Sequence, residues 1–222
     1  MRMHRKPHLD ERLLACSDIL TSPDLSDKNM KRAATVKDYL DIKKIFNNQN
    51  PVHLEIGCGK GKFALEMAKL HPDINFVALE KISNVIIEGC ENLKKTDIKN
   101  VHFLNVRAEV LPKYFPEGCV ERIYLNFSNP LPKQSYIKQR LTYPRFLKIY
   151  KSLLISGGEI WQKTDDRGFY EYSLQSYKEE GFTILSTCED LKNEPFAGNV
   201  VTEHEQKFMD MGLPIYRIVV KV

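Results

Sequence analysis

The sequence predicts an α/β fold with an open, doubly wound and mostly parallel sheet. Five short β-type runs recur through the middle of the chain, and stretches of helix length follow most of them. Two more β-type runs stand near the end, where they are expected to add a terminal hairpin with an antiparallel, edge-like last strand. These observations together predict a seven-stranded sheet.

The strands are expected in a regular order along the chain. The five central runs cover 52–56, 75–80, 101–106, 122–127 and 159–163, and the terminal pair covers 182–187 and 215–222. Helices are expected to begin near Phe63, Ser83, Pro144 and Gly168. Residues 1–50 lack this alternation, so they are interpreted as a basic N-terminal arm with a helix or two. Residues 51–222 then form the main domain.

Composition indicates a folded, cytoplasmic protein. The chain has 222 residues, 42% hydrophobic and 28% charged, which is typical of one globular domain. Its apolar runs fall short of the roughly 18 residues that a membrane span needs, and no secretion signal is evident. Its five cysteines never form a Cys-x-x-Cys pair, so neither a disulfide framework nor a metal site is expected. A net charge of +4 favours an acidic partner.

The turn after the first central strand has the pattern of a nucleoside pocket. Gly57, Gly59 and Gly61 are evenly spaced, Glu55 precedes them, and Glu80 closes the next strand. Glycines let a ligand approach the backbone, and an acid at the end of the second strand can accept both hydroxyls of a ribose. The alternative is a tight turn with close helix packing.

The spacing of these glycines disfavours a nicotinamide dehydrogenase. A dinucleotide fingerprint places its third glycine three positions after the second, and a carboxylate such as Glu55 would repel a pyrophosphate. The same carboxylate suits a ligand with a cationic end, such as the amino group and sulfonium of S-adenosylmethionine.

Polar residues follow all five central strands, and the carboxyl ends of such strands are where ligands bind. The fourth strand leads into a loop with two prolines, which stiffen it and fix the directions of Asn129 and Lys133. A basic run with interleaved tyrosines comes next: Lys138, Arg140, Arg145, Lys148 and Lys151, with Tyr136 and Tyr143. Basic and aromatic side chains together favour unpaired RNA as a partner, although a rigid connection beside a solvated face is the plainer alternative. The N-terminal arm, with Arg2, His4, Arg5, Lys6 and His8, points to nucleic acid in the same way.

The chain resembles the bacterial tRNA (guanine-N7-)-methyltransferases over nearly its whole length. The resemblance rests on the order and spacing of several blocks: Glu55-Ile-Gly-Cys-Gly-Lys-Gly-Lys-Phe, Pro72-Asp-Ile-Asn-Phe with Glu80, Arg122-Ile-Tyr-Leu-Asn-Phe-Ser-Asn-Pro-Leu-Pro-Lys, Arg140-Leu-Thr, Lys163-Thr-Asp-Asp-Arg-Gly and Thr202-Glu-His-Glu. It implies a Rossmann-like class I fold. It also implies transfer of a methyl group from S-adenosylmethionine to N7 of a variable-loop guanosine in tRNA, with S-adenosylhomocysteine as product, by a monomer or homodimer.

The resemblance also implies which residues form the site. The cofactor would be bound by Glu55, Gly57, Gly59, Gly61, Glu80, Arg107, Ala108 and Asn129, and Asn129 would lie between the methyl donor and the guanine. The substrate nucleotide would be held by Lys133, Asp165, Thr202, Glu203, His204 and Glu205.

Several positions depart from the family pattern, including a less basic stretch after Lys133 in which Gln139 replaces another basic residue. Asn129 replaces the usual aspartate, Leu131 a tryptophan, and His204 a tyrosine or phenylalanine, while Arg107 stands where an acid or amide is frequent. Guanine N7 carries a free lone pair and no proton, so its methylation needs no general base. An amide at position 129 therefore predicts a slower enzyme, since a carboxylate would stabilise the cationic product ring better.

Two alternatives follow from these departures. The chain could be a catalytically impaired relative that binds tRNA, which the changes at Arg107, Asn129 and Leu131 would explain. It could instead methylate an exocyclic amine of a nucleobase, because Asn129-Pro-Leu-Pro faintly resembles the Asn-Pro-Pro-aromatic loop of such enzymes. The second alternative lacks the stacking ring that this chemistry uses.

Overall fold

A computed structural model describes residues 4–22, 37–194, 196 and 198–222, with the side chain of Glu203 outside the described part. The chain groups into two compact units, Met1–Phe115 and Pro116–Val222. Within the described segments, no helix combines the length and apolar character needed to cross a membrane.

The first unit contains a fully parallel set of strands in the order β1-β4-β3-β2. The strands are β1 (Leu20–Thr21), β2 (Val52–Ile56), β3 (Asn75–Leu79) and β4 (Val101–Leu104). Helices cover Leu9–Leu14, Ile42–Phe46, Lys62–Leu70, Ser83–Leu93 and Leu111–Tyr114, and a 3-10 helix covers Ala108–Val110.

Burial shows that β2 and β3 belong to the core of this unit. Every residue of both strands is buried, as expected for apolar runs covered on both faces of a parallel sheet. The Asn100 side-chain amide donates to the carbonyl oxygens of Ala68 (3.1 Å), His71 (3.0 Å) and Ile74 (2.8 Å). It thereby satisfies backbone acceptors around the end of helix Lys62–Leu70, which intrahelical bonds leave open.

The described part of the N-terminal arm is attached to helix Ser83–Leu93. Lys6 forms an ion pair with Glu88, and Arg12 donates to both carboxylate oxygens of Glu91 at 2.7 and 2.8 Å. Lys60 of the glycine turn also contacts Glu88, at 2.7 Å. Hydrogen bonds from these two lysines lower the pKa of Glu88 to about 2. Part of the positive charge of the arm is thus already paired, and Arg2 lies outside the described residues.

The sequence did not predict β1. Its two residues are too few to show a period, and the strand is defined by partners far along the chain. Phe103 N donates to Ile19 O at 2.8 Å, and the Thr21 hydroxyl lies 2.9 Å from His102 Nε2.

The second unit has the strand order β5-β6-β8-β7. The strands are β5 (Val120–Asn126), β6 (Leu154–Thr164), β7 (Thr183–Cys188) and β8 (Tyr216–Lys221). Helices cover Pro144–Leu153, Arg167–Glu179 and Glu203–Asp210, and a 3-10 helix covers Gln134–Gln139. β5 and β6 are parallel, whereas β8 is antiparallel to both β6 and β7.

Two details of the second unit correct the sequence prediction. The last strand is not edge-like, because β8 pairs with β6 on one side and β7 on the other and is mostly buried. β6 begins at Leu154 and not at 159. The Ser156-Gly157-Gly158 segment interrupts the β-type pattern, so the sequence did not indicate the first part of this strand. The mostly parallel α/β class with an antiparallel final strand is confirmed, with eight strands among the described residues where seven were expected.

Candidate active site

The glycine turn in the first unit combines both roles that its sequence suggested. Gly57, Gly59 and Gly61 have φ angles of 84°, 57° and 73°, a region that favours glycine. A Cβ at Gly57 or Gly59 would meet nothing within 4 Å, whereas one at Gly61 would lie 2.6 Å from the Phe103 ring. The first two glycines therefore leave the backbone open to a ligand, and the third allows close packing.

Two carboxylates accompany this turn. Glu55 is 3% exposed on β2, and Glu80 directly follows β3. Glu80 Oε2 accepts from Gly59 N at 3.3 Å, and Oε1 accepts from Ile82 N at 2.9 Å. The Asn105 amide donates to the carbonyl of Glu80 at 2.7 Å, which fixes the end of the strand. The Glu80 carboxylate is thus held beside the open backbone.

The thiol of Cys58 reports the charge at this turn. Burial raises its pKa well above the ordinary value, and the negative charges of Glu55 and then Glu80 raise it further. The carboxylates of Glu55 and Glu80 therefore both lie close enough to the turn to act on the same point of it. Such a site favours a cationic ligand end and disfavours a phosphate.

Arg107 and Ala108 follow β4. Ala108 is buried and begins the 3-10 helix, while the Arg107 side chain is 52% exposed and pairs with Glu109, with Nη2 and Oε1 3.1 Å apart. The Arg107 guanidinium is thus directed toward its own loop.

In the second unit, the loop after β5 is fixed by internal hydrogen bonds. Asn129 is exposed, and its Oδ1 accepts from Leu131 N at 3.1 Å. Phe127 and Leu131 have φ angles of 50° and 46°, which are strained for residues with side chains. The exposed Lys133 ends this segment before the 3-10 helix. The loop is therefore preorganised, as its prolines predicted.

Arg140 has a role in this loop that the sequence did not reveal. Its Nε donates to Pro130 O at 2.8 Å and its Nη2 to Leu131 O at 3.3 Å, while the guanidinium lies 4.4 Å from the Tyr172 ring centroid. The position of Arg140 within a basic run suggested a contact with RNA instead. The guanidinium holds the loop that carries Asn129.

Asp165 and His204 meet at the carboxyl end of β6. Asp165 Oδ1 and His204 Nε2 are 3.3 Å apart, and both side chains are partly exposed. The His204 ring stacks on Phe208 at 4.6 Å and lies 4.5 Å from the Phe127 ring. Aromatic packing thus fixes the orientation of the imidazole, and its Nε2 faces Asp165.

Glu205 lies beneath this pair in a buried network. Its carboxylate accepts from Lys163 Nζ at 2.6 Å and from Asn199 Nδ2 at 2.7 Å. Thr202 and Glu205 also form a reciprocal capping box at the start of helix Glu203–Asp210. The Thr-x-x-Glu spacing could have revealed this cap, but nothing in the sequence connects Lys163 or Asn199 with it. The side chain of Glu203, also a predicted site residue, lies outside the described part.

Each unit thus contains one half of the predicted residue set. Glu55, Gly57, Gly59, Gly61 and Glu80 share the glycine turn of the first unit, with Arg107 and Ala108 after the neighbouring β4. Asn129, Lys133, Asp165, Thr202, His204 and Glu205 follow the strands and loops of the second unit. In the described residues, no three histidine, cysteine, aspartate or glutamate side chains group as metal ligands.

Comparison with known proteins identifies the family of the chain. The chain matches the methyltransferase family model Methyltransf_4 over residues 49–218. It is 42% identical over 217 residues to the tRNA (guanine-N(7)-)-methyltransferase of Bacillus subtilis strain 168, covering 98% of this chain and 97% of that protein.

Solved structures of low identity show the same fold. The 16S rRNA methyltransferase KamB matches with a TM-score of 0.62 at 15% identity, over 84% of this chain and 95% of its own. A SAM-dependent methyltransferase from Aquifex aeolicus matches with a TM-score of 0.57 at 12% identity, over 98% and 100%. The class I, Rossmann-like fold is confirmed, and the chain belongs to the tRNA (guanine-N7-)-methyltransferase family.

Proposed function

We propose that this protein transfers a methyl group from S-adenosylmethionine to N7 of a variable-loop guanosine in tRNA. The observation that carries the proposal is the glycine turn, where the carboxylates of Glu55 and Glu80 accompany an open backbone. The choice of tRNA follows the name of the Bacillus subtilis relative.

The residues of the turn fit this cofactor. Glu55 would attract its cationic amino acid end, and Glu80 would accept hydrogen bonds from the ribose hydroxyls. Gly57 and Gly59 would let the ligand lie against the backbone, because no side chain occupies that space. Ala108 would contact the adenine through its backbone. When bound, S-adenosylmethionine supplies a methyl group whose bond to sulfur breaks as N7 bonds to it, leaving the electron pair on sulfur.

Residues of the second unit would bind the guanosine. Lys133 is exposed and can meet a phosphate, while Asp165 can accept from the ring N–H and exocyclic amine of an extruded guanine. Thr202, Glu203 and His204 would form the surface beside it, and the buried Glu205 would support that surface from beneath. Asn129 would face the reacting atoms, where its amide dipole stabilises the developing charge less than a carboxylate would.

Several further features are part of the proposal. Residues 1–50 would act as a basic arm and extension and residues 51–222 as the methyltransferase domain, working as a monomer or homodimer in the cytoplasm. The arm would add phosphate contacts through groups not already paired with helix Ser83–Leu93. Its lysine and arginine pairs with Glu88 and Glu91 imply that only part of its charge is available.

One assay tests the function directly. Purified protein is incubated with unmodified tRNA and S-adenosylmethionine labelled in the methyl group, and the digested RNA is analysed by mass spectrometry. We expect 7-methylguanosine from the variable loop. A tRNA with 7-deazaguanosine at that position is the matched control, since it lacks N7 and should remain unlabelled.

Other outcomes would contradict the proposal. A methylated adenine or cytosine amine would identify the exocyclic-amine alternative. Tight tRNA binding without any methyl transfer would identify the catalytically impaired relative.

A further inference from the structure

We infer that Lys163 is a positioning residue for tRNA, and that Glu205 acts through Lys163 and not by touching the guanosine. The inference rests on the proposed function and assigns different roles within its substrate surface. It concerns four described residues of the second unit: Lys163, Asn199, Thr202 and Glu205.

Lys163 is a buried ammonium with three acceptors among the residues that the structure describes. Its side chain is 7% exposed at the carboxyl end of β6, and Nζ donates to Glu205 Oε2 at 2.6 Å, Asn199 Oδ1 at 3.0 Å and Val200 O at 3.1 Å. Three donors thus meet three acceptors, which is the full capacity of the group. An ammonium in this position is unavailable to a phosphate.

The carboxylate of Glu205 is equally enclosed. Its side chain is 1% exposed, Oε1 accepts from Asn199 Nδ2 at 2.7 Å, and Oε2 accepts from Thr202 N at 3.4 Å as well as from Lys163. A base could contact this carboxylate only after the network opened. Reading of guanine is therefore left to groups that are partly exposed.

The network fixes the groups that remain exposed. Lys163 and Glu205 join β6 to the start of helix Glu203–Asp210, and this connection places His204 3.3 Å from Asp165. Lys163 O also accepts from Phe127 N at 2.9 Å. Phe127 directly follows β5 and its ring contacts His204, so Lys163 is also connected to the end of that strand. Lys163 thereby determines where the Asp165 and His204 side chains stand.

The pair has a distinctive mutational signature. Removing one member of a buried ion pair leaves an uncompensated charge, whereas replacing both by neutral groups is often tolerated. If Glu205 only balances Lys163, loss of both charges restores function. If Glu205 contacts the guanosine, loss of its charge remains harmful whatever occupies position 163.

A double-mutant cycle tests this with Lys163→Met, Glu205→Gln and the combined variant. We expect each single variant to raise KM for tRNA about tenfold or more, with kcat and the Kd for S-adenosylmethionine unchanged. The combined variant should return KM to within about threefold of wild type. Lys178→Met, which removes an exposed lysine from helix Arg167–Glu179, is the control and should not couple to Glu205→Gln.

Additive effects would overturn the inference, as would a loss confined to kcat. Asn199→Ala provides a milder test if the single-charge variants fail to fold, because Asn199 contacts both charged groups. It should raise KM for tRNA severalfold at constant kcat, and an unchanged KM would refute the role. The cycle is repeated for tRNA binding by fluorescence anisotropy with S-adenosylhomocysteine present. If the wild-type protein binds tRNA without methylating it, the proposed function is wrong. The inference about Lys163 and Glu205 can still be tested, because the coupling between the two substitutions is measured from tRNA binding.

Discussion

Arg140 Nε donates to the carbonyl oxygen of Pro130 at 2.8 Å, ten residues earlier in the chain. This bond, together with the 3.3 Å contact to Leu131 O, closes the loop that carries Asn129. The planar guanidinium also packs on the Tyr172 ring, so Arg140 stacks on an aromatic ring and donates two hydrogen bonds at the same time.

Replacing Arg140 by lysine should therefore disturb the loop although the charge is kept. A single ammonium cannot bond both carbonyls and stack on the ring, and losing one such hydrogen bond corresponds to about 1.4 kcal/mol. We expect kcat/KM for tRNA to fall about tenfold in steady-state assays, with cofactor affinity unchanged. Lys148→Arg, at an exposed position of the same basic run, should stay close to wild type. An Arg140→Lys enzyme of normal rate would show that the contact is dispensable.

Asn129→Asp should accelerate methyl transfer. One aspartate oxygen can still accept from Leu131 N, which now bonds to Asn129 Oδ1, and the other adds negative charge where the purine becomes cationic. The gain is on the order of 1 to 3 kcal/mol, or about ten- to a hundredfold in single-turnover rate on transcript tRNA. Asn129→Ser, without charge or amide, should be slower than wild type. An unchanged or lower rate for Asn129→Asp would refute this role for the loop.

The binding roles of Glu55 and Glu80 should be distinguishable by measuring two different ligands. Glu55→Gln removes the charge proposed to attract the amino acid end, so calorimetry should show S-adenosylmethionine binding weakened by about ten- to a hundredfold, or about 1.5 to 3 kcal/mol. Binding of methylthioadenosine, which lacks that end, should not change. Glu80→Gln should weaken both ligands, because both contain the ribose. Equal effects of Glu55→Gln on the two ligands would contradict the assignment.

His102 should make the stability of the protein depend on pH. It is 4% exposed, and burial lowers its pKa to about 4. The unfolded chain, with a histidine pKa near 6.5, binds a proton more readily, so the stabilisation is complete above about pH 6.5 and is lost as pH falls toward 4. Urea unfolding should give a free energy about 2 kcal/mol lower at pH 5 than at pH 7 from this group. His102→Gln should remove that component, and an identical pH dependence in the variant would exclude His102 as its source.

Local patterns in the sequence were sufficient for most of the fold. The run 52–56 matched β2, and Ser83 and Pro144 matched the first residues of their helices. These boundaries are marked by residues with local effects, such as Pro51 and Gly57 around β2. Where a boundary depends on distant partners the prediction was wrong, as for the two-residue β1 and the internal position of β8.

The candidate site divides in the same way. The grouping of Glu55, the glycines and Glu80 at one turn could be predicted, because turn chemistry and strand ends leave a local pattern. Arg140 and Lys163 could not, because their roles depend on acceptors that only the folded chain brings near them. The sequence alone does not distinguish a basic side chain that contacts a phosphate from one that donates to a carbonyl oxygen within the folded chain.

The position of β8 bears on how the second unit forms during synthesis. Among the described strands, β7 is hydrogen bonded to β8 alone, and β8 lies later in the chain. When Thr183–Cys188 leaves the ribosome, its partner strand has not yet been synthesised. The backbone hydrogen-bonding groups of β7 therefore stay unpaired with β8 until Tyr216–Lys221 has been made. Such long-range pairing slows folding and leaves a strand open to wrong neighbours. Chaperone contact with the nascent chain is therefore expected to concentrate on this interval of translation.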